Sequence, residues 1–451
     1  MLVGKARSFA WQSRQLSLPE QLCSRHGVLP AELLDTGFTH GDSCYNALHQ
    51  AANGKIYFAI GSWRSDTSAR LFLFDESSNE VSASAGFDAA VATDPQAIPH
   101  GKVHVEFAEW NRQLYTATHI GFYDTRNGIE APGRIAGRPP YQGGFFLGFD
   151  TGTCAFTRLS KAPEEEGIIA MAADAACGCL YGLTWPSGLF LMSSMEPCQA
   201  QSFPSVFGLG ERGARRDGSW SRICRSMGLD PRSGDVYWSD SQGRIFVFRR
   251  VSNKIELVAS QALWFDGEPS MWRKVLWNRK QNAFYGILSR TSQLFRFDPA
   301  NGRVEPLAAL RPAEWSRAAW WQVKPQATLA FHLSDDGDTI RYLATGPGAI
   351  LADGQRVRST VSYFTYHIPS AALRCHGLVR MTDGRYVTQA QSLLASGGNV
   401  YTVAWIELPA NSSDARTRDL LKVRRAVQVP QLHGAIEETN LVRFPDPMAA
   451  S

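Results

Sequence analysis

The chain has 451 residues, 44% of them hydrophobic and 20% charged, with a formal net charge of +4. That small, scattered charge excludes a general nucleic-acid binder, which concentrates Lys and Arg in blocks. No apolar run reaches the roughly 18 residues needed to cross a bilayer, and Met1 to Leu18 lacks the apolar core of a signal peptide, so no membrane partner is expected.

Eight cysteines spread along so long a chain do not look like a secreted disulfide framework. The close pair Cys177-Gly178-Cys179 falls in an expected turn, where two thiols alone do not make a zinc site. A soluble cytoplasmic protein acting on a small molecule is the expectation; the sequence does not set the oligomeric state.

Residues 1–38 form an N-terminal extension with one short helix expected over Pro19 to Arg25. A repeating module then runs through residues 39–408 and recurs seven times. In the first copy, Tyr45 to Gln50 reads as a strand and Asn53-Gly54 as a hairpin turn. Lys55 to Ile60, Arg70 to Asp75 and a strand from Glu80 follow. The second copy opens with a strand over Pro99 to Phe107, continues with Gln113 to His119 and has its third strand at Gly144 to Asp150. The third runs through Ile168 to Met171, Leu180 to Thr184 and Gly188 to Leu191. The fourth holds Val236 to Asp240 and Gly243 to Phe248, and the fifth Ala283 to Leu288, Gln293 to Asp298 and Arg303-Val304.

In the sixth copy the expected strands are Trp320 to Val323 first, Leu329 to Leu333 second and Ile340 to Leu343 third. The seventh leads from Ser392 through Gly397-Gly398 into Val400 to Trp405. Tyr57, Tyr115, Tyr181, Tyr237, Tyr285, Phe331 and Tyr401 mark equivalent second strands. Four short antiparallel strands that cannot bury both faces alone make one propeller blade, so seven copies predict an all-β, seven-bladed β-propeller around a central channel. Its closing strand comes from residues 1–38 or from residues 409–451, where Leu421 to Val423 and Ala426 to Val429 are candidates.

The run Asp230-Pro231-Arg232-Ser233-Gly234-Asp235-Val236-Tyr237-Trp238-Ser239-Asp240, followed by Gly243 to Phe248, resembles the blades of NHL, sugar-lactonase, streptogramin-lyase and oligogalacturonate-lyase propellers. The resemblance implies a ligand site in the channel, on the face where first strands begin. Oligogalacturonate lyases imply a histidine-rich metal site there that acidifies a sugar-ring proton. In that family a close His-x-His pair is present, whereas Lys102 stands two residues before His104 here. Streptogramin lyases imply histidines working with a glutamate, and Glu106 lies close to His104 and His119.

Placed on this frame, His40, His100 and His376 fall in or near loops entering first strands. His104 falls within a first strand and His119 ends a second. Neutral imidazoles at such positions suit acid/base chemistry or a divalent metal held by three of the five. His104 and His119 are the expected catalytic histidines, with Glu106 as a base. Arg222, Arg225 and Arg273 recur at blade entries and suit a substrate anion. Trp63, Trp185 and Tyr141 are candidates for stacking on a ring. The expected function is a lyase or isomerase-like enzyme acting on an anionic carbohydrate or a cyclic natural product. The alternative is a non-catalytic propeller that binds a ligand or protein.

Overall fold

The computed structural model describes residues 18–92, 94–126, 129–211, 222–259, 263–265, 268–289, 291–312, 327–350, 356–408, 417–420 and 437–449. Short apolar segments separated by glycine and asparagine turns give antiparallel sheets of four strands each. In the first, Leu48–Gln50, Ile56–Ile60, Arg70–Asp75 and Glu80–Gly86 pair in chain order. Its Asn53-Gly54 turn is possible because Gly54 takes a φ of 80°, a region open to glycine.

The second sheet holds Ala108–Trp110, Gln113–Ala117, Phe145–Asp150 and Ala155–Lys161, with an extra hairpin, Tyr123–Arg126 and Ile129–Pro132, between its second and third strands. The expected first strand over Pro99 to Phe107 is corrected here. That segment enters irregularly and touches its neighbour through a single bridge, Lys102 to His119. The Asn46 side chain takes the His104 carbonyl, which a regular ladder would otherwise use.

The third sheet is Gly167–Asp174, Cys179–Trp185, Phe190–Ser194 and Gln201–Phe203. The fourth is Gly228–Asp230, Asp235–Ser239, Ile245–Arg249 and Lys254–Ala259. The fifth is Trp272–Asn278, Ala283–Leu288, Gln293–Asp298 and Arg303–Ala309.

Two further groups share one nine-stranded sheet. The sixth consists of Phe331–Leu333, Thr339–Ile350, Arg356–His367 and Ala372–Met381. Here the strand order read from the sequence moves by one. Phe331–Leu333 is innermost, and Tyr342, paired with Phe331 on the next strand, takes the buried place that Tyr57 and Tyr115 hold in their sheets. The Ser, Thr and Arg residues of Arg356–His367 and Ala372–Met381 dilute the apolar alternation that marks strands elsewhere. Trp320 to Val323 lie outside the described residues.

In the seventh, Val387–Ala390 and Leu394–Ser396 both pair with Asn399–Glu407, which pairs with Glu437–Pro445. Both ends of the chain complete it. Glu437–Pro445 is the third strand, and Glu32 to Leu34 of Val28–Leu34 add the outer one, antiparallel to Arg443 to Leu441. The same strand continues along the sixth group, where Val28 to Ala31 run parallel to Leu378 to Met381. The C-terminal candidates Leu421 to Val423 and Ala426 to Val429 lie outside the described residues.

Sheets pack face to face and the last meets the first. Trp405 donates its Nε1–H to the Asp42 carbonyl at 2.6 Å, the Tyr401 ring lies 5.8 Å from Phe74, and the Tyr401 hydroxyl bonds Glu76. Tyr401, Val403 and Leu441 share one buried cluster with Phe58, Phe72 and Phe146. The fold is therefore a closed β-propeller. Among the described residues no helix is long and apolar enough to cross a membrane.

Candidate functional site

Where each inner strand is entered, the chain meets the end of the second strand of the same sheet. Gly61 N–H donates to Ser43 O at 2.6 Å, His119 N–H to Lys102 O at 2.8 Å and Ser289 N–H to Met271 O at 3.0 Å. Ile223 is bridged to Asp240 in the same way. Two residues beyond these points stand Tyr45, His104, Arg273 and Arg225. Four sheets thus deliver one residue each to a single layer at one end of the channel.

His104 lies flat on the Tyr45 ring, with centroids 4.5 Å apart and planes 1° from parallel. His119 meets it edge-on at 4.7 Å and 84°, and in turn packs against Trp185 at 5.6 Å and Tyr123 at 6.1 Å. The Nε2 atoms of both histidines are buried without a hydrogen-bond partner. Burial, then His119, Lys102, Arg225 and Arg273, hold His104 well below the usual imidazole range. Burial, then Lys102 and Arg225, do the same to His119. The Gly167 backbone beside His119 Nδ1 opposes this shift weakly and falls short of hydrogen-bond geometry. Only glycine fits there, since a Cβ would stand 2.1 Å from Nδ1. Both rings are neutral at pH 7.

Cations surround the pair. Lys102 is buried, its ammonium 4.3 Å from the Tyr123 ring centroid, 5.1 Å from Trp63 and 5.6 Å from Tyr45. It also donates to the Tyr123 hydroxyl at 3.2 Å. Lys274 is ion-paired with Glu106. Arg225 forms a two-point pair with Glu211 at 2.7 and 3.0 Å, and Glu211 also accepts from Trp185 Nε1 at 2.8 Å and Ile223 N at 3.0 Å. Arg273 is pulled down to about 10 by burial and then by Arg225, so it remains charged at neutral pH.

The residues expected from the sequence divide accordingly. His104, His119, Arg225 and Arg273 come together, and Glu106 enters as the partner of Lys274. Arg222 is exposed, unlike Arg225 and Arg273. His376 is a correction: it lies on the outer strand Ala372–Met381, bonded through Nε2 to the Thr365 hydroxyl at 2.8 Å, because the sixth group begins later than its sequence suggested and so extends to Met381. His100 is fully buried against Tyr141, whose hydroxyl lies 3.0 Å from its Nδ1. His40 sits half-buried before the first sheet. Among the described residues no three His, Cys, Asp or Glu side chains converge to hold a metal.

Trp185 and Tyr141 present no open face; both are buried with their polar atoms engaged. Trp63 is half-buried, edge-on to Trp405 at 6.0 Å and next to Lys102. Tyr45, Tyr123 and Glu211 were missed by sequence reading. Tyr45 was accessible by counting from the blade entry as for His104. Tyr123 lies on the extra hairpin of the second sheet, and Glu211 on the connection between the third and fourth sheets.

No family model matches the chain, and no curated protein matches it. Among solved structures, an extracellular domain from B. thetaiotaomicron superposes with a TM-score of 0.49 at 12% identity, over 83% of this chain; the chain spans 38% of the length of that protein. The periplasmic gluconolactonase of Pseudomonas aeruginosa gives 0.48 at 17% identity, over 80% of this chain and 92% of the other. A protein from Lactobacillus plantarum gives 0.48 at 12% identity over the same shares. At these values neither activity nor ligand transfers to the present chain.

Proposed function

We propose that the channel layer binds an organic anion, of the anionic-carbohydrate or cyclic natural-product kind, and moves a proton on it in a lyase or isomerase-like reaction. One observation carries this reading: two neutral histidines with buried, unpartnered Nε2 atoms stand on the same layer as Arg225 and Arg273.

A carboxylate between the two guanidiniums acidifies the C–H bond beside it, because the enolate charge that develops is met by fixed positive charge. His104 accepts that proton on Nε2, within an environment that keeps the imidazole neutral beforehand. The bound anion offsets the cations that depress His104 and so restores basicity when it is needed. The imidazolium of His104 formed in this way then returns the proton to the substrate, and the neutral His119 packs edge-on against its ring. Glu106 keeps Lys274 in position through their ion pair. All eight cysteines are free, which suits a reducing, cytoplasmic compartment.

The test is solvent exchange on D-galacturonate in D2O, followed by proton NMR. Deuterium appears at the carbon next to the carboxylate with the wild type and not with His104→Gln of unchanged circular dichroism. Binding without exchange would leave a scaffold that only holds the anion, and the enzymatic reading would fail.

A further inference from the structure

The seam between the seventh and first sheets carries three buried polar atoms without a hydrogen-bond partner: Asn46 Oδ1, Gln391 Nε2 and Ser43 Oγ. Asn46 is 4% exposed and Gln391 1%. Their neighbours fix which way each amide faces. Asn46 donates Nδ2–H to the His104 carbonyl at 3.1 Å, which leaves Oδ1 as a bare acceptor. Gln391 accepts the Cys44 N–H on Oε1 at 2.5 Å, which leaves Nε2 as a bare donor. The two residues are joined directly, since Asn46 N–H donates to Gln391 O at 3.2 Å.

This seam belongs to the same channel layer. Asn46 follows Tyr45 and is bonded to the strand segment of His104, and the charge of Lys274 on the fifth sheet reaches Cys44. A buried amide atom without a partner is costly, and native structures supply water or ligand at such points. One bare acceptor and one bare donor on two residues joined through their backbones match a hydroxyl group, which gives one hydrogen and takes another. An aliphatic carbon satisfies neither.

We propose that Asn46 and Gln391 form a second subsite that reads a hydroxyl group of the anion held by Arg225 and Arg273. This rests on the anion-binding reading of the channel and adds the specificity residues: the ligand is a hydroxylated carboxylate, not merely an acid.

The test is calorimetry of the full chain with two ring acids of similar size, D-galacturonate and cyclohexanecarboxylate, reading the ratio of their affinities. Galacturonate is expected to bind at least about tenfold more tightly to the wild type. Gln391→Glu keeps the oxygen that accepts from Cys44 and removes the donor. Asn46→Gly removes the acceptor at a residue whose φ of 68° suits glycine. The ratio falls at least about fivefold in either variant, whatever happens to the absolute affinity. Equal affinities in the wild type, or a ratio retained in both variants, would overturn the subsite while anion binding stands. Failure of both acids to bind would overturn the anion reading itself. A crystal structure of the wild type with galacturonate decides without any variant: a hydroxyl on Asn46 Oδ1 and Gln391 Nε2 supports the subsite, and water on both atoms with the sugar elsewhere refutes it.

Discussion

The imidazole of His104 is stacked on the phenol of Tyr45, 4.5 Å away and parallel within 1°. These two residues occupy equivalent places in neighbouring sheets, so the stack joins two blades at the channel. An aromatic face against one side of the ring, His119 against its edge and cations beyond disfavour the protonated form.

His104 and His119 are therefore expected to titrate clearly below pH 6.5, as followed by imidazole carbon NMR. Lys102→Met, which removes a cation that depresses both, moves their midpoints upward. Midpoints at or above 6.5 in the wild type, or no upward movement in the variant, would show that the ammonium does not act on the pair.

Stability carries the same signature. His100, lowered to about 3, and His104 and His119 bind protons in the unfolded chain before they do in the folded one. Folding stability is therefore lost as pH falls below the unfolded value near 6.5, by about 1 kcal/mol for His100 between pH 7.5 and 5.5, with His104 and His119 acting in the same direction. Glu407 acts in the opposite sense. Burial and Glu437 raise it to about 7, so its protonation on acidification restores about 2 kcal/mol. Urea unfolding at the two pH values is expected to show a net loss, steeper in Glu407→Gln.

The Arg225–Glu211 pair is buried on both sides, with side chains 7% and 6% exposed. Glu211→Ala strands Arg225 and also frees the Trp185 and Ile223 donors, which costs about 3–5 kcal/mol in denaturant unfolding. Arg134→Ala, on an exposed pair with Glu165, costs about 1 kcal/mol or less.

Ring closure depends on both chain ends. A chain lacking residues 1–35 loses the strand that joins the sixth and seventh groups and leaves Glu437–Pro445 as an open edge. It is expected to unfold at lower denaturant and to self-associate, as seen by light scattering. Unchanged stability and a monomeric profile would mean that Trp405 and Tyr401 close the ring unaided.

The blades with glycine turns and short, fully buried second strands were legible in the sequence, Ile56–Ile60 and Asp235–Ser239 above all. The sixth group was not, because its strands are long and rich in Ser, Thr and Arg, and that error carried His376 to the wrong edge. At the site, residue types pointed to His104, His119, Arg225 and Arg273. Their company did not show: Tyr45 is an ordinary aromatic until the blade entries are aligned, and Glu211 meets Arg225 across a stretch of 14 positions. Asn46 and Gln391 lie 345 positions apart, and ring closure alone makes them neighbours.

Arg273 offers the most direct measurement of the central claim. Burial and Arg225 make its charge unfavourable for folding, so Arg273→Gln leaves stability unchanged or raises it by up to about 3 kcal/mol. If the channel is an anion site, the same variant weakens galacturonate binding at least about tenfold by calorimetry. Undiminished galacturonate affinity in the folded Arg273→Gln protein would contradict the account.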